Sequence, residues 1–263
     1  MRIGKQDNAR TAIATSDATT ITVRGHDLVG DLIGQVDFTD YFWLLVCGQR
    51  PTEAQKAALN ACLVAIAEHG LVPSVQAARM TLAAAPEAWQ GAMAAGLLGM
   101  GSVVAGSSEV AGRFLAEVVA AGGDEAAAVD AVQRLKAARA KVPGLGHPQH
   151  SAGDPRADKL LSIADRLGLS GAHVAALRHL GAVAPGIMGR ALPVNVSGAI
   201  PAVMLDAGWP LAALKAVPLV ARAGGLAAHL YEESQRPIGF ILSHHADLAI
   251  SYDGAVQAGE KPE

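Results

Sequence analysis

At 263 residues the chain is long enough for one large core or two unequal lobes. Its hydrophobic fraction is 51% but its aromatic fraction only 4%, so the core must be built from Ala, Leu and Val, which suits close helix packing and argues against a β-sandwich. A net charge of -3 leaves no electrostatic footprint for nucleic acid, and no basic cluster marks a membrane surface.

The first seventeen residues carry charge throughout and lack the apolar centre of a signal peptide. The only strand-like text is Thr19-Thr20-Ile21-Thr22-Val23-Arg24. It is short and β-branched, and Gly25 closes it, so a small hairpin is expected. After Gly30 the text reads as helices punctuated by Gly and Pro. Phe38–Cys47 is an apolar helix stopped by Gly48. Thr52 and Gln55 then form a capping-box pattern after Pro51, and Leu59, Cys62, Leu63 and Ile66 keep a helical period up to His69-Gly70. The uncharged stretch between Glu87 and Glu109 is rich in glycine and weakly hydrophobic, and reads as a core helix with a loop rather than a membrane span. Further helices are expected over 86–100, 108–121, 124–141, 154–167, 171–180, 198–205 and 211–231. Cys47 and Cys62 sit in apolar helical patterns and read as buried free thiols of a reducing, cytoplasmic compartment.

Three places can carry chemistry. The run Gly144-Leu145-Gly146-His147-Pro148 is followed by Asp154-Pro155-Arg156. Glycines beside a histidine let backbone N–H groups approach a ligand, and an imidazole can exchange protons near neutral pH. Arg156, just inside a helix opened by Asp154 and Pro155, is placed for bidentate binding of a carboxylate. An ordinary glycine turn with a surface His and Arg fits the same spacing. His69, between Glu68 and Gly70, either caps a helix end or faces a ligand. Arg222 lies in the apolar run 219–226, where its charge requires an ion pair or a bound anion. His244-His245 with Asp247 is not expected to hold a metal, because adjacent histidines point in different directions. There is no Walker loop, dinucleotide fingerprint or nucleophile elbow.

In chain order, several segments resemble the citrate synthase family, most closely its citryl-CoA lyases and the citrate-synthase-like module of ATP-citrate lyase. They begin with Arg24-Gly25-His26-Asp27-Leu28, Cys47-Gly48-Gln49-Arg50-Pro51-Thr52, and Ala67-Glu68-His69-Gly70 with Pro73-Ser74 and Ala78-Arg79. Pro143-Gly144-Leu145-Gly146-His147 up to Asp154-Pro155-Arg156-Ala157 is the strongest match. Pro193-Val194-Asn195-Val196-Ser197-Gly198, Arg222-Ala223-Gly224-Gly225 with His229, and Arg236-Pro237 complete the series.

The resemblance implies an all-α, citrate-synthase-like fold with at most a short N-terminal β element. A large helical domain (1–105 and 206–263) and a small domain (106–205) would close over the substrate, in a homodimer. It implies that His69 and His147 contact the oxaloacetate or citryl group and that Arg156 and Arg222 bind its carboxylates. Arg236 would reach in across the dimer interface, and Gly144, Leu145 and Gly146 would line the coenzyme A site. No permanent cofactor or metal is implied; a coenzyme A thioester is the substrate.

Two departures stand out. Val104 falls where citrate synthase has the histidine that binds the acetyl-CoA enol, which leans toward a lyase. Ser197 falls on the catalytic aspartate. A lone serine hydroxyl is a poor base, and losing a positioned acid–base group typically costs about 10²–10⁴-fold. Ser197 also fits the N-cap of the helix expected over 198–205. A basic residue that often contacts coenzyme A is replaced by Ser151. The expected activity is cleavage of a citryl-CoA-like thioester to a 2-oxo acid and an acyl-CoA, with His147 and His69 moving the proton. The alternatives are a citrate or 2-methylcitrate synthase and a non-catalytic polycarboxylate-binding homologue.

Overall fold

The computed structural model describes residues 9–101, 106–146 and 153–254. The β-branched N-terminal text forms a three-stranded antiparallel meander of β1 (Ala14–Ser16), β2 (Ile21–Val23) and β3 (His26–Asp27), one strand more than a hairpin. A short π-helical turn, Leu28–Leu32, follows. All remaining named elements are helical.

Local chemistry explains most helix boundaries. In α1 (Phe38–Cys47), Asp37 and Asp40 make a reciprocal capping box, and Gly48 at φ 79° ends the helix in the left-handed region. α2 (Glu53–Ala67) opens as expected: Gln55 N–H donates to Thr52 Oγ1 and Thr52 N–H to Gln55 Oε1. Next come α3 (Pro73–Ala84) and α4 (Trp89–Leu98), where the sequence suggested one helix over 86–100. α5 (Gly106–Ala120) and α6 (Glu125–Ala137) follow; α6 stops four residues short of the expected 141 because Arg139 turns to φ 53°. α7 (Pro155–Arg166) has Asp154 as N-cap and Pro155 at its first turn. α8 (Ala172–Met188) continues past the expected 180. Beyond it lie α9 (Val196–Asp206), a 3-10 turn (Leu211–Ala213), α10 (Ala216–Gln235) and α11 (Gly239–Ala249).

The chain forms two compact units, Met1–Ile66 with Ser102–Ala221, and Ala67–Gly101 with Arg222–Glu263. These contact-based boundaries differ from the 105/106 and 205/206 divisions expected for the closing domains. In the first unit α9 packs against α5, α7 and α8. Its sequence is apolar on every side, and Ile200, Val203 and Met204 are fully enclosed, as such a helix requires. Asp206 at its end accepts N–H bonds from Gly171, His173 and Val174, capping α8 from outside. In the second unit α3 packs on α4 and α11, around Val75, Ala78, Leu82, Ala92, Leu226 and Leu230.

Among the described residues, one helical stretch, Leu211–Gln235, is long and apolar enough to cross a membrane. It buries Val217 in one unit's core and Leu226 and Leu230 in the other's, and carries the buried charges of Arg222 and Glu233, so it reads as a core helix. Cys62 is fully enclosed, and burial pushes its thiol up to about 12; burial raises half-buried Cys47 to about 11 despite nearby Arg24.

Candidate active site

The first unit carries Arg156, Ser197 and the 144–146 turn. Gly144 (φ 80°) and Gly146 (φ 78°) occupy left-handed backbone that side chains resist. Gly144 also lies against Gly198: a Cβ on Gly144 would sit 2.8 Å from the Gly198 Cα. The turn is stitched to the segment before α9. Gly146 N–H donates to Pro193 O (2.7 Å), Asn195 N–H to Gly144 O (3.0 Å) and the Asn195 amide to Gly146 O (2.6 Å). Leu145 buries its side chain and donates its N–H to Val142 O (3.3 Å). The N–H groups of Leu145 and Gly146 are therefore engaged inside the fold, where the glycine pattern suggested that they face a ligand.

Asn195, not Ser197, caps α9: its side chain accepts the Gly198 N–H at 3.1 Å. The helix begins at Val196, two residues before the expected start, so Ser197 lies inside the first turn. Its hydroxyl is 3.0 Å from that of Ser107 on α5. Two hydroxyls facing one another make a hydrogen-bonding pair without a carboxylate base.

Asp154 joins this pair to Arg156. Fully buried, it accepts Arg156 Nε and Nη2 at 2.9 Å each, Arg156 N–H at 3.1 Å, and Val196 N–H at 2.9 Å. Burial raises its pKa, but the Arg156 and Val196 bonds outweigh that and hold the carboxyl below its ordinary range. One carboxylate thus fixes both the guanidinium and the helix start next to Ser197. A cavity of about 500 Å³ between α2 and α7 is lined in part by Arg156, Lys159 and Val64.

The second unit carries His69, Arg222 and Arg236. α2 ends at Ala67, and Glu68 folds back to accept the N–H groups of His69 (2.8 Å) and Gly70, leaving the His69 ring half-buried. Gly225 allows α10 to approach this turn, since a Cβ there would collide with Ala67 O. Arg222 is 3% exposed in α10, and Arg236 is exposed just before α11. Four residues that sequence reasoning assigned no role form this unit's polar cluster: buried Arg79 and Glu233, part-buried His229, and Glu232 at its exposed edge. Arg79 lies on the inner face of α3 beside Val75, Ala78 and Leu82, and a charge on an apolar face was the signal available. It pairs with Glu233 at 2.6 Å and Glu232 at 2.7 Å.

His147, Val104 and Ser151 lie outside the described residues. His244 and His245 fall on α11 with ring centroids 6.1 Å apart, and no group of three metal-ligating side chains occurs among the described residues.

The citrate synthase C-terminal domain family model matches residues 6–239. Among solved structures, the citryl-CoA lyase of Hydrogenobacter thermophilus is 30% identical, with TM-score 0.86 and 97% of both chains covered. ATP citrate lyase of Methanothrix soehngenii, in complex with citrate and coenzyme A, is 19% identical (TM-score 0.80); the match takes in 99% of this chain and 44% of that one. Citrate synthase of Thermoplasma acidophilum, in a ternary complex with carboxymethyl coenzyme A and oxaloacetate, is 19% identical (TM-score 0.69), covering 86% and 59%. At that identity the last two show a shared fold. No curated protein matches the sequence.

Proposed function

The chain belongs to the citrate synthase family, and from that premise we propose that it is a carbon–carbon lyase cleaving a citryl-CoA-like thioester to a 2-oxo acid and an acyl-CoA. The observation that carries this reading is its full-length likeness to a citryl-CoA lyase.

In the proposed reaction Arg156, Arg222 and Arg236 of the partner subunit hold the carboxylates of the substrate. His147, assisted by His69, accepts the proton of the tertiary hydroxyl. The carbon–carbon bond breaks as that oxygen becomes the carbonyl of oxaloacetate, and its electron pair leaves as the enolate of the acyl-CoA. Water, or a proton passed through Ser197 and Ser107, quenches the enolate. Ser197 stands for the family's catalytic aspartate. Cleavage tolerates the exchange better than synthesis, because no proton need be taken from a weakly acidic methyl group. The paired hydroxyls of Ser107 and Ser197 support this assignment of a proton conduit without a base.

The protein acts as a cytoplasmic homodimer in this reading; exposed Phe240, Ile241, Leu248 and Ile250 on and beyond α11 support a covered face. Incubation with citryl-CoA should release oxaloacetate and acetyl-CoA. No turnover of citryl-CoA, citramalyl-CoA or methylcitryl-CoA would defeat the proposal. The same two serines favour one other reading, a homologue that binds polycarboxylates without turnover. Its mark would be a thermal shift with citrate and none with coenzyme A.

A further inference from the structure

The lyase reading gives His69 and Arg236 contacts with the substrate but leaves open what fixes them. A continuous polar chain within the second unit joins the two. Arg79, 2% exposed on α3, directs its guanidinium at four acceptors. Nε meets Glu233 Oε2 at 2.6 Å, Nη1 meets Glu232 Oε2 at 2.7 Å, and Nη2 meets the Arg236 carbonyl at 3.0 Å. The fourth is His229 Nδ1, 3.5 Å from Nη1 and the longest link. A guanidinium can only donate, so Nδ1 accepts and the ring proton sits on Nε2. That Nε2 lies 3.0 Å from Glu68 Oε1, the same oxygen that accepts the N–H groups of His69 and Gly70. Glu233 meanwhile accepts the N–H groups of Ile238 and Gly239, so the partner of Arg79 also ties down the start of α11.

We propose that Arg79 and His229 are positioning residues, holding the His69 turn and the Arg236 backbone in one register through Glu68. The inference rests on the lyase reading for what the two held side chains do. Stability alone is a weak reason for such a cluster, because buried ion pairs often contribute no more than apolar packing would. Its geometry gives it a different use: each end terminates on the main chain of a residue assigned to the substrate. Outer partners of this kind typically govern about 10–100-fold of affinity or activity when they orient a ligating group.

The test uses the full chain. His229→Phe leaves the buried Arg79–Glu233 pair intact and removes both ring bonds. Amide hydrogen exchange at His69 and Gly70, read by NMR, should accelerate about tenfold as Glu68 loses its anchor, and the KM for citryl-CoA should rise about 10–100-fold with a smaller change in kcat. Glu68→Ala should reproduce the loss, and Glu68→Gln, which keeps an Oε1 acceptor, should recover most of it. Arg79→Lys, unable to fork toward four acceptors, should speed exchange at His69 from three links away. Wild-type exchange at His69 in folded His229→Phe overturns the inference. So does a lowered Tm with KM unchanged, the mark of a merely structural role. A wild-type enzyme that cleaves no thioester, yet whose His69 amide responds to His229→Phe, sinks the lyase reading and leaves the coupling standing.

Discussion

Asp154 carries a full charge at zero exposure, which is tolerable only because four donors converge on it. Asp154→Asn keeps an acceptor for Val196 N–H but removes the counter-charge of Arg156. Breaking a fully buried pair costs about 3–5 kcal/mol; because Arg156 is 20% exposed, a loss of about 2–3 kcal/mol is expected at pH 7 by urea denaturation. The folded-state pKa of Asp154 is depressed, so its contribution is complete above the ordinary Asp value of about 4 and disappears as pH falls through the folded value. The gap between wild type and variant should therefore be constant at neutral pH and close below about pH 4. A gap that widens in acid would show that the sign is wrong. At Ser197 the expectation is a gain. An aspartate there would place a carboxylate beside the Ser107 hydroxyl, and Ser197→Asp should raise proton–deuterium exchange into acetyl-CoA by about 10²-fold. Both residues were visible in the sequence, one as a helix opener and one as an anomaly. Their connection through Val196 was not, because it needs 42 residues of chain to return to the same point.

Among the elements, the sequence was most readable where a boundary has its own chemistry. α1, α2 and α7 open at side-chain caps, α7 with a proline in its first turn, α1 closes at left-handed Gly48, and each lies within two residues of expectation. α3 was obscured because its inner face includes Arg79, which breaks the apolar period that a helix is recognised by. α11 was obscured for the opposite reason: apolar residues lie on its exposed side, so no amphipathic stripe exists. The turn at 144–146 shows how a glycine pattern can be recognised while the packing it serves stays hidden. Gly144 allows close packing against α9 at Gly198, whereas Gly146 faces Leu192, and the first contact is measurable. Gly144→Ala combines left-handed strain with a contact 2.8 Å from Gly198 Cα, and should cost about 2–4 kcal/mol. Gly25→Ala has φ 84° with open space around the added methyl, and should cost only about 1 kcal/mol. Equal losses in chemical denaturation would mean that the close approach contributes nothing.

For the whole molecule, the composition foretold a helical chain built on small residues, and the family resemblance supplied the expected pairing of two copies. Neither identified which surface pairs. In the second unit, α11 turns Gly239 toward Ala83 on α3 and leaves Phe240 70% exposed and Leu248 69% exposed, with Ile250 at 75% just beyond. Arg236 stands three residues before the start of this helix, tied to Arg79 through its carbonyl. A symmetric contact through α11 would bury these side chains against their own copies and bring each Arg236 close to the other subunit. Phe240→Glu places a charge where that contact would be dry. Sedimentation should then show a dimer becoming a monomer at micromolar concentration, with circular dichroism unchanged because Phe240 is exposed and belongs to no core cluster among the described residues. Cleavage activity should fall with the dimer fraction, since in the proposed reaction each site takes Arg236 of the partner subunit. A variant that stays dimeric, or a monomer that keeps full activity, would place the interface elsewhere or make the site self-sufficient within one chain.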